Sequence, residues 1–317
     1  MKQTPHNLSK QGADDWAKLG KRPPEGMASM VWRRFRRHPG AMAGSIVLII
    51  LVLSVFLASF SPYDPEKSNM PDLKLPPLPR HPFGTDLLGR DMLTRVLYGG
   101  RISLTVGLLV VTITLAIGVP VGAVSGYFGG RVDNVLMRIT DAALSLPALM
   151  VLILLSAILR EIELPIFERN NVVTIAVVIG SLSWMTVARL VRASFLTIRE
   201  MDFISAARCV GVSNSRIMVR HILPNAVGPI IVESTLELGY AIMEEAGLSF
   251  LGFGIQPPTP SWGNLLNYAQ AHLTRHPWLA IFPGLMIFLA IISINYIGDG
   301  LRDAFDPFKV LEKTGEP

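Results

Sequence analysis

The chain has 317 residues, of which 50% are apolar and only 17% are charged. An average soluble domain carries about 25% charged residues, and the apolar residues here lie in runs that approach or exceed the roughly 20 residues needed to cross a hydrocarbon core. The composition therefore excludes an ordinary soluble enzyme or nucleic-acid-binding domain and predicts an all-α polytopic membrane protein. In a membrane protein, the positive net charge of +5 indicates which loops lie in the cytoplasm, because lysine and arginine are enriched there.

The first 40 residues are polar and contain no apolar core, so they are not a cleavable signal peptide. Four arginines, at positions 33, 34, 36 and 37, come directly before the first apolar run and are typical of a signal anchor. We therefore expect residues 1–40 to form a cytoplasmic tail.

Six membrane crossings are predicted in chain order. Uncharged runs predict crossings at 41–60, 102–127 and 278–297, and further crossings are expected at 141–159, 172–190 and 226–246. The fifth is the least regular because Glu233, Glu237, Glu244 and Glu245 interrupt it. An outer loop at 61–101 is expected between the first two crossings, followed by a permease core at 102–300. This core contains a cytoplasmic connector at 191–224 and further outer loops at 160–171 and 247–277. Residues 301–317 are expected to form a second cytoplasmic tail.

The distribution of lysine and arginine predicts the orientation. The N-terminal tail holds nine of these residues and the stretch 189–224 holds six, whereas the loop 247–277 holds one, Arg275. Because positive charge is enriched in cytoplasmic loops, both termini and the 191–224 connector are expected in the cytoplasm.

The connector has the pattern of two short helices joined by a glycine. Residues 203–210 can form two turns with Asp202 as N-cap, Gly211 permits the positive φ that ends a helix, and Ser213 is a second N-cap. The next helix is expected at 214–221, with Pro224 marking re-entry into the membrane. By itself this pattern fits either an ordinary amphipathic loop or a docking surface. Cys209, the single cysteine, cannot form an intrachain disulfide and is expected to be a small buried residue.

The connector resembles the EAA motif of binding-protein-dependent ABC importer permeases. Ala206, Ala207, Gly211, Leu223 and Pro224 match the motif position by position, while Ser205 stands where its glutamate is expected. The resemblance implies that this segment couples to an ATPase, through the residues Phe203, Ile204, Ser205, Ala206, Ala207, Arg208, Gly211, Leu223 and Pro224.

Other stretches resemble the C-type subunit of dipeptide, oligopeptide and nickel importers. They are the run from His81 to Asp91, Arg101 to Leu104, Glu245 to Gly252, Gln256 to Gly263, and Gly298 to Asp303 with Asp306-Pro307. The resemblance implies a type I ABC importer permease fold in a prokaryotic inner membrane. It also implies a second homologous permease as heterodimer partner, two ATPase subunits that carry ATP and Mg²⁺, and an extracytoplasmic binding protein.

Catalytic signatures are missing from the sequence. It contains no GxxxxGK[ST] loop, no HExxH and no GxSxG, and no lysine lies between Lys74 and Lys309. A non-catalytic permease without a cofactor of its own is therefore expected. His272 and His276 are spaced i,i+4, as in some metal sites, but no third ligand is evident.

A polar stripe lies on the fifth segment. At 100° per residue, Glu233, Glu237, Tyr240 and Glu244 share one helix face. Because a carboxylate facing lipid is costly, two interpretations stay open. Either Glu233 and Glu244 lie near the membrane surfaces while Glu237 meets a neighbouring helix, or the face lines the path of a substrate with a positive amino group.

The outer loop before the last segment contains Pro257 and Pro258, which stiffen the chain, and Trp262, which suits an interfacial position. The resemblance implies that a binding protein docks on this loop. For the pairing of Asp86, Arg90 and Asp91, local partners within the first outer loop are favoured over partners on the second permease.

The resemblance implies short peptides as substrate. Nickel complexes, glutathione-like peptides and oligosaccharides remain alternatives within the same architecture. A self-sufficient secondary transporter and a membrane-embedded hydrolase are rivals from other classes, and no nucleophile–base pair supports the hydrolase.

Overall fold

The computed structural model describes residues 26–161 and 172–306. Over these ranges the chain is helical, apart from connecting loops and two isolated bridges in the first outer loop, Leu78 with His81 and Thr85 with Asp91. The helices are α1 (Met27–Phe35), α2 (Pro39–Leu57, extended by the 3₁₀ turn Ala58–Phe60), α3 (Met92–Phe128), α4 (Gly130–Leu144), α5 (Ala148–Glu161), α6 (Val172–Arg199), α7 (Asp202–Cys209), α8 (Asn214–Phe250), α9 (Trp262–Gln270) and α10 (Trp278–Phe305).

Five helices of the described residues, α2, α3, α6, α8 and α10, are long and apolar enough to cross a membrane. The pair α4 and α5 reaches six crossings only if it is counted as one broken span, because the two helices meet at 88°. The predicted crossing at 141–159 therefore corresponds to a bent helix pair and not to one continuous helix. The break falls at residues 145–147, where Pro147 disfavours the helical conformation of the residue before it.

The other predicted crossings are confirmed as candidate membrane helices, but four of them, α3, α6, α8 and α10, are longer than expected. Helix α3 has 37 residues, a length of about 55 Å against a hydrocarbon core of about 30 Å. It begins at Met92 because the Asp91 carboxylate caps it by accepting a hydrogen bond from the Thr94 amide at 2.8 Å. The end of the predicted outer loop 61–101 is therefore helical. Helices α6 and α8 likewise continue past the predicted ends toward the connector.

Helices α3 and α6 pack closely along a stripe of glycines. Gly118, Gly122 and Gly126 are buried at four-residue spacing. A Cβ on Gly118 would lie 2.7 Å from the Trp184 carbonyl oxygen, and one on Gly126 would lie 2.6 Å from that of Arg192. Small residues spaced in this way let two membrane helices approach backbone to backbone.

Around this pair the remaining helices complete one bundle. Helix α8 packs against α3, α6 and α10, and α10 in turn packs against α2, α9 and α1. The close approach of α2 to α10 also uses a glycine, because a Cβ on Gly44 would lie 2.7 Å from the Ser293 carbonyl oxygen.

The first outer loop is held by a buried ion pair and a buried histidine–carboxylate hydrogen bond. Asp86 binds Arg90 with an oxygen–nitrogen distance of 2.7 Å, and Asp91 binds His81 at 2.8 Å. The prediction of local pairing in this loop is thereby confirmed. The chain between α2 and α3 forms a fixed cap on this end of the bundle.

We predict that Gly122→Ala destabilises the chain. The added methyl group would meet the Ala188 carbonyl oxygen of α6, and overpacking of this kind costs about 1–3 kcal/mol. The melting temperature of the purified full-length chain in detergent should fall.

Gly247→Ala is the matched control, because a Cβ at this helical position on α8 has no neighbour within 4 Å. Equal melting temperatures for the two variants would contradict tight α3–α6 packing.

Candidate functional site

The connector between α6 and α8 forms the two-helix unit that the sequence predicts, with small shifts. Helix α7 runs from Asp202 to Cys209 and has Met201, not Asp202, at its N-cap. Gly211 follows with φ of +81°, the left-handed conformation that glycine adopts without a steric penalty. Ser213 is the N-cap of the next helix, as predicted.

Helix α7 has one buried face and one exposed face. Ile204 is fully buried among Phe195, Ile217 and Ile222, which fixes the helix to the ends of α6 and α8. Ser205 and Ala206 are exposed on the other side. Helix α7 therefore presents a surface of small side chains on an anchored helix.

The solvent-facing rim of the connector contains further exposed residues. Phe203 is 44% exposed and Val210 is 84% exposed. Cys209 is also exposed, so the prediction of a buried cysteine is wrong. The reason is that only the face of α7 that carries Ile204 turns toward the bundle, and Cys209 lies off that face.

The second half of the connector is continuous with the membrane helix. Residues 214–221 are helical as predicted, but this helix does not end before the membrane segment, because a π-helical stretch, Ile217–Ile222, leads directly into Leu223–Phe250. Pro224 lies in the first turn after this segment, where a proline is tolerated. Leu223 packs against the same apolar cluster as Ile204. The connector is therefore joined to α8 without an intervening loop.

Tyr127, near the end of α3, contacts both arms of the connector, namely α7 before Gly211 and the helix that begins at Asn214 after it. The sequence analysis did not identify this residue. Its hydroxyl donates to the Asn214 side-chain oxygen at 2.7 Å, and the Arg208 guanidinium carbon lies 5.7 Å from its ring centroid. Arg199 donates to its carbonyl oxygen at 3.0 Å. These partners are 72 to 87 residues away in sequence, so no local pattern signals them.

Ion pairs attach α4 to α6 beside the connector. Arg192 binds Asp133 through two nitrogens at 2.5 and 2.6 Å, and Ser125 donates to the same carboxylate. Arg189 binds Asp141 at 2.5 Å. A bidentate arginine–carboxylate pair is the geometrically most specific ion pair, so α4 is positioned by α6.

The four residues of the polar stripe on α8 differ in their surroundings. Glu237 is 6% exposed, Glu233 and Glu244 are half-buried, and Tyr240 is 59% exposed. The Ser183 side chain of α6 lies close to the Glu237 carboxyl group. Glu237 thus meets a neighbouring helix, while the rest of the face stays accessible to water or to a partner.

The outer loop before α10 is built around a buried carboxylate. Glu245 is fully buried and accepts hydrogen bonds from the hydroxyls of Ser103 at 2.6 Å and Ser249 at 2.7 Å. The Ser249 hydroxyl also accepts the Ile255 amide at 2.9 Å. In the sequence, Glu245 belongs to a family-like stretch but has no predicted role. The structure shows that it joins α3, α8 and this loop.

Trp262 does not lie at the surface, so the prediction of an interfacial position is wrong. Its side chain is fully buried, and its indole N–H donates to the Val96 carbonyl oxygen at 2.9 Å. Ser261 and Asn264 form a capping box that begins α9 here, so the loop 247–277 contains a helix that packs on α10. In the same loop, Pro258 is exposed and Pro257 is half-buried.

His272 and His276 have ring centroids 6.3 Å apart. Within residues 26–161 and 172–306, no group of three or more histidine, cysteine, aspartate or glutamate side chains is arranged to hold a metal ion.

Comparison with known protein families gives two matches. A family described as "Binding-protein-dependent transport system inner membrane component" matches residues 118–310. A second, described as "N-terminal TM domain of oligopeptide transport permease C", matches residues 26–77. The first match includes the whole connector and the second includes α1 and α2.

Similar proteins carry transport names. The chain is 40% identical over 278 residues to glutathione transport system permease proteins of Escherichia coli O6:K15:H31 and Shigella boydii serotype 4, which covers 87% of this chain and 89% of each relative. It is 40% identical over 277 residues to a putative peptide permease of Brucella suis biovar 1, which covers 86% and 89%.

A solved structure shares the fold. The inward-facing MetNI methionine ABC transporter matches with a TM-score of 0.56 and 17% identity, covering 68% of this chain and 98% of the matched chain. A second crystal form of the same transporter matches with a TM-score of 0.55. This similarity supports the helical arrangement alone.

We predict that Tyr127→Phe loosens the second arm of the connector. The variant loses the hydroxyl bond to Asn214 and keeps the ring beneath Arg208. A neutral hydrogen bond contributes about 1 kcal/mol, so amide hydrogen exchange at residues 214–222 should accelerate about fivefold.

Tyr98→Phe is the control at the other end of α3, because it keeps the ring over which Arg101 lies. Unchanged exchange in Tyr127→Phe would show that Tyr127 does not hold this arm.

Proposed function

Because this chain belongs to the family of binding-protein-dependent transport system inner membrane components, we propose that it imports short peptides, glutathione-like tripeptides included. It is a multi-pass permease of an ABC importer, and ATP is hydrolysed by separate ATPase subunits. The substrate proposal is supported by relatives that are named as glutathione and peptide permeases.

In the proposed assembly, this chain pairs with a second homologous permease, and the two share the translocation path. Two ATPase subunits bind ATP and Mg²⁺ on the cytoplasmic side, and a binding protein delivers the substrate from outside. Large apolar side chains exposed on α5, among them Met150 and Leu154, suit contact with lipid or with the second permease.

The proposed orientation places both termini and α7 in the cytoplasm. It rests on the enrichment of arginine and lysine before α2 and around α7, against one such residue between α8 and α10. The loop with Pro257 and Pro258 then faces outward, where the binding protein docks. Buried Trp262 contributes by supporting this loop from beneath.

The coupling proposal rests on one observation: α7 exposes small side chains on one face while Ile204 on the other face is buried in the bundle. Ala206 and Ser205 permit close approach of an ATPase surface, while Ile204 transmits its displacement to the cluster between α6 and α8. When ATP closes the ATPase pair, the closed pair binds α7 more tightly in one of the two permease conformations. This difference in binding shifts the permease toward that conformation. Ser205 supplies a hydroxyl where the related motif has a carboxylate.

The proposed path runs along the α8 face with Glu233, Glu237, Tyr240 and Glu244. A peptide with a free amino terminus carries a positive charge that these carboxylates attract. The position of Glu237 beside α6 supports a second role for this residue, in helix packing. A substitution that removes its charge but keeps its shape separates substrate attraction from packing.

Uptake tests the substrate class. The chain is reconstituted in proteoliposomes with its partner permease, ATPases and binding protein, and ATP-dependent uptake of a labelled dipeptide, glutathione, a nickel complex and an oligosaccharide is measured. The proposal expects peptide uptake that is lost when the ATPase subunits are omitted. Uptake of only the nickel complex or the oligosaccharide would overturn it.

We predict that Glu237→Gln in this assay lowers uptake of a dipeptide with a free amino terminus about tenfold, the loss expected from one charge-assisted hydrogen bond. Uptake of the N-acetylated dipeptide should change little. The control is Glu161→Gln at the exposed end of α5. Equal loss for both substrates at constant membrane abundance would assign Glu237 to packing alone.

We predict that Gly211→Val uncouples ATP hydrolysis from uptake. A β-branched residue is strained at φ of +81°, so α7 loses its orientation and hydrolysis continues without proportional transport. Gly211→Asn is the matched control, since asparagine tolerates the left-handed conformation and a side chain here has open space. Equal uptake per ATP in the two variants would contradict the proposal.

A further inference from the structure

An apolar groove of about 590 Å³ lies beside the connector, between α1, the beginning of α8 and the end of α10. Its lining is apolar throughout and includes Met27, Val31, Trp32, Val227, Ile231 and Phe305. Met27 and Trp32 are 63% and 59% exposed. The groove is therefore open along α1.

The wall formed by α1 is fixed to the bundle. Phe35 is buried against Ala41 and Ala304, and Arg34 donates to the carbonyl oxygens of Ala304 at 3.2 Å and Asp306 at 3.0 Å. These bonds satisfy carbonyl groups at the C-terminal end of α10, which have no partner within the helix. The groove is thus a preformed feature of the fold.

The groove has a cationic rim. The Arg36 guanidinium carbon lies 5.9 Å from the centroid of the Trp32 ring, which places its charge where the groove opens. Arg33 and Arg37 are exposed on the same short segment, and the sequence from residue 26 to residue 40 contains no aspartate or glutamate. An anion at this rim would meet positive charge without a nearby acid on α1.

We propose that this groove binds an anionic phospholipid, with an acyl chain against Val31, Ile231 and Phe305 and the phosphate at Arg36. A peptide segment fits less well, because its backbone N–H and C=O groups would face apolar side chains without partners. The inference rests on the proposed orientation, in which α1 lies at the cytoplasmic leaflet where anionic lipids are enriched. A bound lipid joins α1 to α8, the helix that continues from the connector.

The test uses the purified full-length chain in nanodiscs of phosphatidylcholine with phosphatidylglycerol that carries a photoreactive group on its acyl chain. Cross-linked peptides are identified by mass spectrometry, and unlabelled phosphatidylglycerol or phosphatidylcholine is added as competitor. Labelling is expected on α1, the beginning of α8 and the end of α10, with competition by phosphatidylglycerol and little by phosphatidylcholine.

Two variants and one control separate the contribution of charge from that of shape. Arg36→Gln should weaken competition by phosphatidylglycerol about fivefold, since one basic residue near an anionic lipid contributes about 1 kcal/mol. Arg131→Gln, which removes an exposed charge at the start of α4, should leave competition unchanged. Ile231→Trp, which fills the groove, should reduce labelling by either lipid.

Equal competition by the two lipids, or an equal effect of Arg36→Gln and Arg131→Gln, would overturn the proposal. Labelling that appears only after deletion of residues 1–25 would also overturn it, by assigning the groove to that segment. The labelling experiment uses nanodiscs that expose both faces of the chain, and it needs neither ATPase nor substrate. A negative labelling result is therefore independent of a negative result in the peptide-uptake assay.

Discussion

The close approach of α3 and α6 is the interaction on which the other parts of the structure depend. Membrane helices gain no hydrophobic free energy by leaving lipid for one another, so they associate through tight packing of small residues. Gly118, Gly122 and Gly126 provide this contact against three carbonyl groups of α6. Because α6 leads into α7 and the last turn of α3 contains Tyr127, the same contact sets the distance between the connector and its support.

The connector has a rigid side and an adaptable side. Ile204 and Tyr127 hold it to three helices through packing and a hydrogen bond, whereas Gly211 supplies a turn that few residues tolerate. The π-helical segment leads to the glutamate-bearing part of α8 without a loop. At the outer end, Glu245 and its serine partners give α3, α8 and the loop before α10 one shared anchor. The helix that links both ends is therefore α8.

Much of this arrangement is predictable from local sequence because the bilayer is such a restrictive solvent. Uncharged runs predicted α2 and α10, and the glycine and serine at 211 and 213 predicted the connector turn. Prediction failed where neighbours decide. The chain bends between α4 and α5 at Pro147, in an apolar stretch that resembles a continuous span. Trp262 is amphipathic and suits an interface by composition, yet Val96 provides a buried carbonyl acceptor for its indole.

By itself, the sequence determined the class of protein, the family resemblance, most of the membrane helices and the position of the connector. These properties follow from hydropathy, charge and short motifs, all of which are local. Only the tertiary structure decided which side of α7 is exposed, that Glu237 is buried while Tyr240 is exposed, and that Tyr127 and Glu245 join distant segments. Such contacts join residues that are 87 and 142 positions apart in sequence, and no local pattern encodes which distant segment lies beside them.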